Sequence, residues 1–150
     1  KIYKNDNYMS LLKKSYRRCC LILNQAINMV INNRAERIPQ KLIDKKGSYF
    51  RKRKDGDEVI NWNDKSENIH NFIRGLSFPG PIAQSYIGGN KIFIISSRLT
   101  HLHKKFEKTN VGQVISLKNN SLNVVTQDNI IKITKWKYGG EVKVGDILGI

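Results

Sequence analysis

Little in this chain can be cross-linked or chelated. Its 150 residues include two cysteines, Cys19 and Cys20, and they are adjacent. Neighbouring side chains on a helix diverge by about 100°, so a structural bridge between them is geometrically disfavoured. Without a CxxC spacing or a disulfide framework, the cysteine usage fits a reducing cytoplasm. Histidine is equally scarce. His70 stands alone, and His101 and His103 form an HLH pair that offers two ligands on one face of an extended strand. A closed zinc site takes four, so solvated loop histidines are expected and a metal is not. No apolar run approaches the roughly 18 residues of a membrane span, and no signal-peptide pattern is present, so no membrane partner is expected. Ser/His/Asp and Cys/His nucleophile patterns, a Walker loop and a dinucleotide glycine fingerprint are missing too. These absences leave a binding and positioning module.

Acidic side chains are also in short supply. Lys and Arg number 27 against 12 Asp and Glu, a net charge of +15. Such a surplus favours polyanionic partners such as RNA, nucleotide diphosphates or acidic surfaces. It is spread along the chain, with 16 basic and 7 acidic side chains in residues 1–65 and 11 and 5 in the remainder. Lys, Asn and Ile together make 55 residues, all readable from A/T-rich codons, so base composition competes with function as the source of the charge.

Between residues 8 and 32 the apolar side chains Met9, Leu12, Tyr16, Cys19 or Cys20, Leu23, Ile27 and Val30 or Ile31 recur every three or four positions. This is the period of a helix with one buried stripe. Asp6 or Asn7 can cap its start, and the stripe requires an apolar partner surface. The chain begins at Lys1 and enters this helix almost at once, which reads as the tail of a longer polypeptide. Residues 38–62 carry Pro39, Gly47, Gly56 and dense charge, an extended linker. Asp64 and Glu67 have capping-box spacing ahead of a second helix whose apolar face is Ile69, Phe72, Ile73 and Leu76, stopped by Pro79-Gly80-Pro81. Short β-like runs follow at 82–87, 91–97, 111–117, 122–126 and 130–136, with one more in the tail GEVKVGDIL. The fold class is therefore α+β: an N-terminal helix and linker, then a helix and a small OB-like β-barrel.

The residues from 49 to 77, YFRKRKDGDEVINWNDKSENIHNFIRGLS, resemble the linker and first C-terminal segment of the formyltetrahydrofolate-dependent formyltransferases, which include methionyl-tRNA formyltransferase and the sugar-nucleotide formyltransferases. The matching features are Tyr49, the basic residues Arg51 to Arg53, Asp55-Gly56, Ile60-Asn61-Trp62, and Ile69-His70-Asn71-Phe72-Ile73-Arg74-Gly75. GGNKIFIISSR and VGQVISL are similar to the family's first barrel hairpin and a later strand. One departure is Phe78-Pro79-Gly80-Pro81-Ile82-Ala83, where the family usually has Pro-Trp/Tyr-Pro-Gly-Ala.

The resemblance implies three regions. Residues 1–40 would be the last helix and exit of a Rossmann-like catalytic domain otherwise absent from the chain, 41–63 a basic linker, and 64–150 the C-terminal helix and barrel. It implies 10-formyltetrahydrofolate as cofactor, bound by the N-terminal catalytic domain, whose Asn, His and Asp motifs have no counterpart here. No catalytic residue is therefore assigned to this chain. The acceptor, a sugar nucleotide or initiator methionyl-tRNA, would place phosphates near the linker. Arg51 and Arg53, at alternate positions of an extended segment, could grip phosphate oxygens, with Lys52 between them facing away. The competing reading is a solvated run balanced by Asp55, Asp57 and Glu58. Trp62, Asn71 and Arg74 are expected to anchor the linker, Trp62 as a hydrophobic plug and Arg74 through a carboxylate or carbonyl. His70 is expected to act as a hydrogen-bond partner on the helix surface. The alternative from another class is a stand-alone OB-like nucleic-acid-binding module, with Tyr86, Phe93 and Trp136 as stacking candidates. A dimerisation tail also fits the sequence, which sets neither the oligomeric state nor the acceptor.

Overall fold

The computed structural model describes residues 1–100 and 109–149. His101 and His103 lie outside the described residues. The elements in chain order are helices α1 (Tyr8–Ile31), α2 (Gln40–Ile43) and α3 (Ser66–Gly75), then strands β1 (Ala83–Ile87), β2 (Asn90–Leu99), β3 (Val114–Lys118), β4 (Ser121–Val125) and β5 (Ile130–Lys137). They fall into two compact units. One is Ser10–Asp55; the other joins Lys1–Met9 to Gly56–Ile150. No helix among the described residues is long and apolar enough to cross a membrane.

The unit Ser10–Asp55 contains most of α1 and all of α2, and it buries no residue. Helix α1 forms where the apolar period predicts and is closed at its C-terminus by Asn33 in the left-handed region, φ 54°. The Asn33 N–H donates to the Val30 carbonyl and the Arg34 N–H to the Met29 carbonyl, at 3.1 and 2.8 Å, so two of the four orphan carbonyls find donors. The apolar stripe is solvent-facing, with Leu23 61% and Val30 64% exposed.

The other unit is an antiparallel sheet of order β1-β2-β5-β4-β3 with α3 packed over β2 and β5. Ile69 and Ile73 on one face of α3 meet Ile92, Ile94, Ile131 and Ile133 in a single core. Burying a side chain of this size stabilises by roughly 1.5–3 kcal/mol, so α3 is held chiefly by this face.

The start of α3 is not capped as the sequence implied. Its N-cap is Lys65, which makes no side-chain cap. The Ser66 N–H instead donates to Asp128 Oδ1 at 2.7 Å, from the β4–β5 turn, while Asp64 Oδ1 accepts the Lys65 N–H at 2.7 Å and the Asn68 amide at 2.8 Å. The Gln127 N–H also donates to the Asp64 carbonyl at 3.3 Å, so this turn is seated against the helix start and replaces the local box. Burial is the largest influence on the Asp128 carboxyl and raises its pKa. The hydrogen bonds from the Ser66 N–H, the Thr126 hydroxyl, its own N–H and the Ser66 side chain outweigh it and hold the group below the usual range.

The strand ladder is an open five-stranded sheet, not a closed barrel, and the expected tail strand is not formed. Gly145, at φ 102°, interrupts the extended run, and the tail contributes isolated pairs in place of a strand. These pairs nevertheless serve both sheet ends. Tyr86 of β1 and Gly149 exchange two backbone hydrogen bonds at 3.0 Å. At the β3 end the Val114 N–H donates to the Asp146 carbonyl and the Leu148 N–H to the Gly112 carbonyl, both at 2.8 Å. Residues 58–60 run parallel to β1, the Gln84 N–H donating to the Glu58 carbonyl and the Ile60 N–H to the Gln84 carbonyl, each at 2.8 Å.

Gly112 sits at φ 84°, where an added Cβ would overlap the Leu148 carbonyl. Gly112→Ala is expected to destabilise the fold by more than about 1 kcal/mol, measured by urea denaturation. Asp128→Ala should cost about 1 kcal/mol through the lost helix cap. The depressed Asp128 pKa means its contribution is present above the unfolded carboxyl value and is lost as pH falls through the folded one. Wild-type stability should therefore fall more steeply than that of Asp128→Asn below roughly pH 4; parallel acid profiles would contradict the assignment.

Candidate functional site

Arg51, Lys52, Arg53 and Lys54 are all exposed and lie in a stretch without regular secondary structure. Arg51 Nη1 donates to the Lys52 carbonyl at 3.3 Å. The run belongs to the unit Ser10–Asp55, whereas Trp62, Asn71 and Arg74 belong to the other.

Trp62 is 4% exposed and part of the core. Its indole N–H donates to Ser85 Oγ at 2.9 Å, and the Ser85 hydroxyl donates to the Gly149 carbonyl at 3.2 Å. Its ring is closed to a stacking base. Tyr86, Phe93 and Trp136, the other aromatic candidates, are half-buried, and Trp136 packs against the core.

Arg74 gathers the chain ahead of α1. Its Nε donates to Asn71 Oδ1 at 2.8 Å, one turn earlier on α3. Its Nη1 donates to the Asp6 carbonyl at 2.7 Å and is within 3.4 Å of the Tyr3 and Lys4 carbonyls. What the guanidinium holds is residues 3–6, a segment further shaped by the Tyr3 N–H donating to Asp6 Oδ2 at 2.8 Å and the Asp6 N–H to the Tyr3 carbonyl at 3.0 Å. A planar fork with fixed donors suits a cluster of carbonyls that a lysine could not span.

Beside this clasp is an open polar cleft of about 550 Å³ between residues 4–7, α3 and the outer half of β2. His70 stands in its wall with Nδ1 2.9 Å from Ser97 Oγ. Burial lowers the His70 pKa, the Arg74 cation lowers it further, and Glu67 acts the other way. These influences together favour the neutral ring. Ser97, Lys4 and Arg98 also line the cleft. They were not legible as site residues in the sequence, because His70 and Ser97 are 27 positions apart and meet only when α3 packs on β2.

These parts define a class: an α+β domain with one amphipathic helix over an open antiparallel sheet, preceded by an exposed basic segment. HypX from Aquifex aeolicus, solved as a multiply substituted variant, has a similar fold, with a TM-score of 0.51 and 17% identity over 79% of this chain and 20% of that one. The model of the formyl transferase C-terminal domain matches residues 52–145, and the chain belongs to that family. Among curated relatives it is 35% identical over 129 residues to the bifunctional polymyxin resistance protein ArnA of Wigglesworthia glossinidia brevipalpis, covering 84% of this chain and 19% of that protein. It is 29% identical over 124 residues to the methionyl-tRNA formyltransferase of Syntrophomonas wolfei, covering 83% of this chain and 38% of that one. The match to methionyl-tRNA formyltransferase of Staphylococcus epidermidis is 28% over 99% of this chain and 46% of that one. The chain therefore spans less than half the length of each of these relatives.

Arg74→Ala is expected to release residues 3–6, seen as lost hydrogen-exchange protection at the Asp6 N–H, and to lower stability by about 1–3 kcal/mol. Unchanged protection would show that the clasp holds nothing. Because folding depresses the His70 pKa, the imidazole destabilises the folded state as pH falls below the unfolded value near 6.5. His70→Gln should flatten the stability profile between about pH 7 and 5.

Proposed function

We propose that this chain is the acceptor-side C-terminal part of a 10-formyltetrahydrofolate-dependent N-formyltransferase, and that its acceptor is an amino sugar carried on a nucleotide diphosphate. In this reading residues 1–40 close a catalytic domain, 41–63 link it, and 64–150 form the C-terminal module. The observation that carries it is the exposure of residues 51–54 at the start of the matched formyl transferase C-terminal domain. Guanidinium groups are suited to phosphate oxygens by charge and by paired donors. The likeness of FRKR and ISSR to the sugar-nucleotide enzymes favours this acceptor.

In this reading the folate chemistry lies outside this chain. The half-buried histidine, His70, is tied to Ser97, and the Asp6 carboxylate accepts the Tyr3 N–H. The cofactor, which supplies the formyl group, is accordingly assigned to the N-terminal catalytic domain of the whole protein. The work of this chain is to hold the acceptor's phosphates and orient its amine.

Fluorescence anisotropy of the 150-residue chain with a labelled nucleotide diphosphate sugar, and separately with a tRNA, tests this across a salt series. The sugar nucleotide is expected to bind, and Arg51→Ala/Arg53→Ala to weaken it by roughly tenfold or more, as loss of charge-assisted hydrogen bonds implies. Tight, steeply salt-dependent tRNA binding without sugar-nucleotide binding would overturn the acceptor assignment. An undiminished double variant would return the run to a solvated loop.

A further inference from the structure

The cleft beside Arg74 has an electrostatic imbalance that the fold does not use. Lys4 enters from the N-terminal segment and Arg98 from β2, and neither side chain hydrogen-bonds or ion-pairs with any described residue. Arg74 directs Nε and Nη1 to Asn71 and to the carbonyls of residues 3, 4 and 6, leaving Nη2 without a partner among the described residues. Ser96 Oγ accepts the Thr134 hydroxyl at 3.1 Å and retains its own O–H as a donor. The acid in the wall is Asp6, whose Oδ2 accepts the Tyr3 N–H. Three cations and one carboxylate therefore share one concave wall.

Stability does not account for this arrangement. Like charges brought to one cavity repel, and neither Lys4 nor Arg98 gains a hydrogen bond within the described chain in return. A ligand with two or more negative charges removes the repulsion and supplies acceptors for donors arriving from three elements. The volume suits a small molecule, since such sites commonly run from about 300 to 1,000 Å³. The wall is polar and does not present an aromatic stacking surface of the kind that single-stranded nucleic acid uses.

We propose that the cleft formed by Lys4, His70, Arg74, Ser96 and Arg98 is an anion site for the phosphate or diphosphate group of a small phosphorylated metabolite, distinct from the 51–54 run. It does not depend on which acceptor is formylated, or on formyl transfer at all. His70 reports on occupancy. The charged groups around it are Arg74 and Glu67 on α3, Arg98 on β2, and Lys4 and Asp6 on the N-terminal segment. A bound dianion opposes the influence of the cations and draws the imidazole toward protonation.

Inorganic pyrophosphate added to the isotopically labelled 150-residue chain, followed by NMR, provides the test. Saturable shifts are expected at His70 and at residues 96–98, with an upward move of the His70 titration midpoint. Lys4→Ala/Arg98→Ala should weaken this binding at least tenfold, whereas Arg51→Ala/Arg53→Ala should leave it unchanged. Both pairs are exposed, and a dispersed spectrum checks that each variant is folded. If the first pair does not fold, an unmoved His70 midpoint in the wild type under saturating pyrophosphate overturns the proposal without it. Shifts confined to residues 51–54 would also overturn it, as would undiminished binding by Lys4→Ala/Arg98→Ala. Preferential binding of a tRNA at the cleft would assign it to nucleic acid instead.

Discussion

An open antiparallel sheet has two edges whose backbone donors and acceptors need partners, and much of this domain answers that requirement. Residues 58–60 lie along β1, and the tail at 146–149 pairs with β1 and with the approach to β3. Trp62, which follows the first segment, and Gly149, in the second, are joined through Ser85 on β1. The tryptophan plugs the core and its single polar atom holds the edge together. The close passage of the Leu148 carbonyl over Gly112 allows no side chain at position 112.

The same logic of unsatisfied carbonyls governs the other end of the unit. Residues 3–6 have no regular secondary structure, so their carbonyls require donors from elsewhere. Arg74 provides them, steadied by Asn71 on its own helix. This couples the chain entering α1 to a helix some seventy positions later. It also leaves the flanking cations of the cleft facing a space that no described residue fills.

Family membership places the chain among formyl transferase C-terminal domains, and the described residues distribute their chemistry accordingly. Trp62, Ile69 and Ile73 are buried in the core, while the four consecutive cations lie in a segment where nothing is buried. Buried packing and solvent exposure are different physical environments for side chains. They are separated here between two units of one chain.

Helices α1 and α3, the five strands and the apolar face of Ile69 and Ile73 were legible because they follow from period and turn chemistry, which act over a few neighbours, whereas the short α2 falls inside the stretch read as an extended linker. The ordered match from Tyr49 to Ser77 was legible for the same reason, since motif spacing is a property of the linear chain. Other features had no local signal. Asp128, not the nearby Asp64, caps α3, because the β4–β5 turn is brought to the helix start by packing. The tail reads as a strand, yet Gly145 and the demands of two sheet ends divide it into separate pairs. The sequence by itself determined most of the segments that become helix or strand and the inward face of α3, but not the fate of the α1 stripe, which is solvent-facing. The tertiary structure alone decided which distant donors meet which acceptors, as in Arg74 with Asp6 and His70 with Ser97, because hydrogen bonds form only between groups that burial of the apolar faces has already brought within reach.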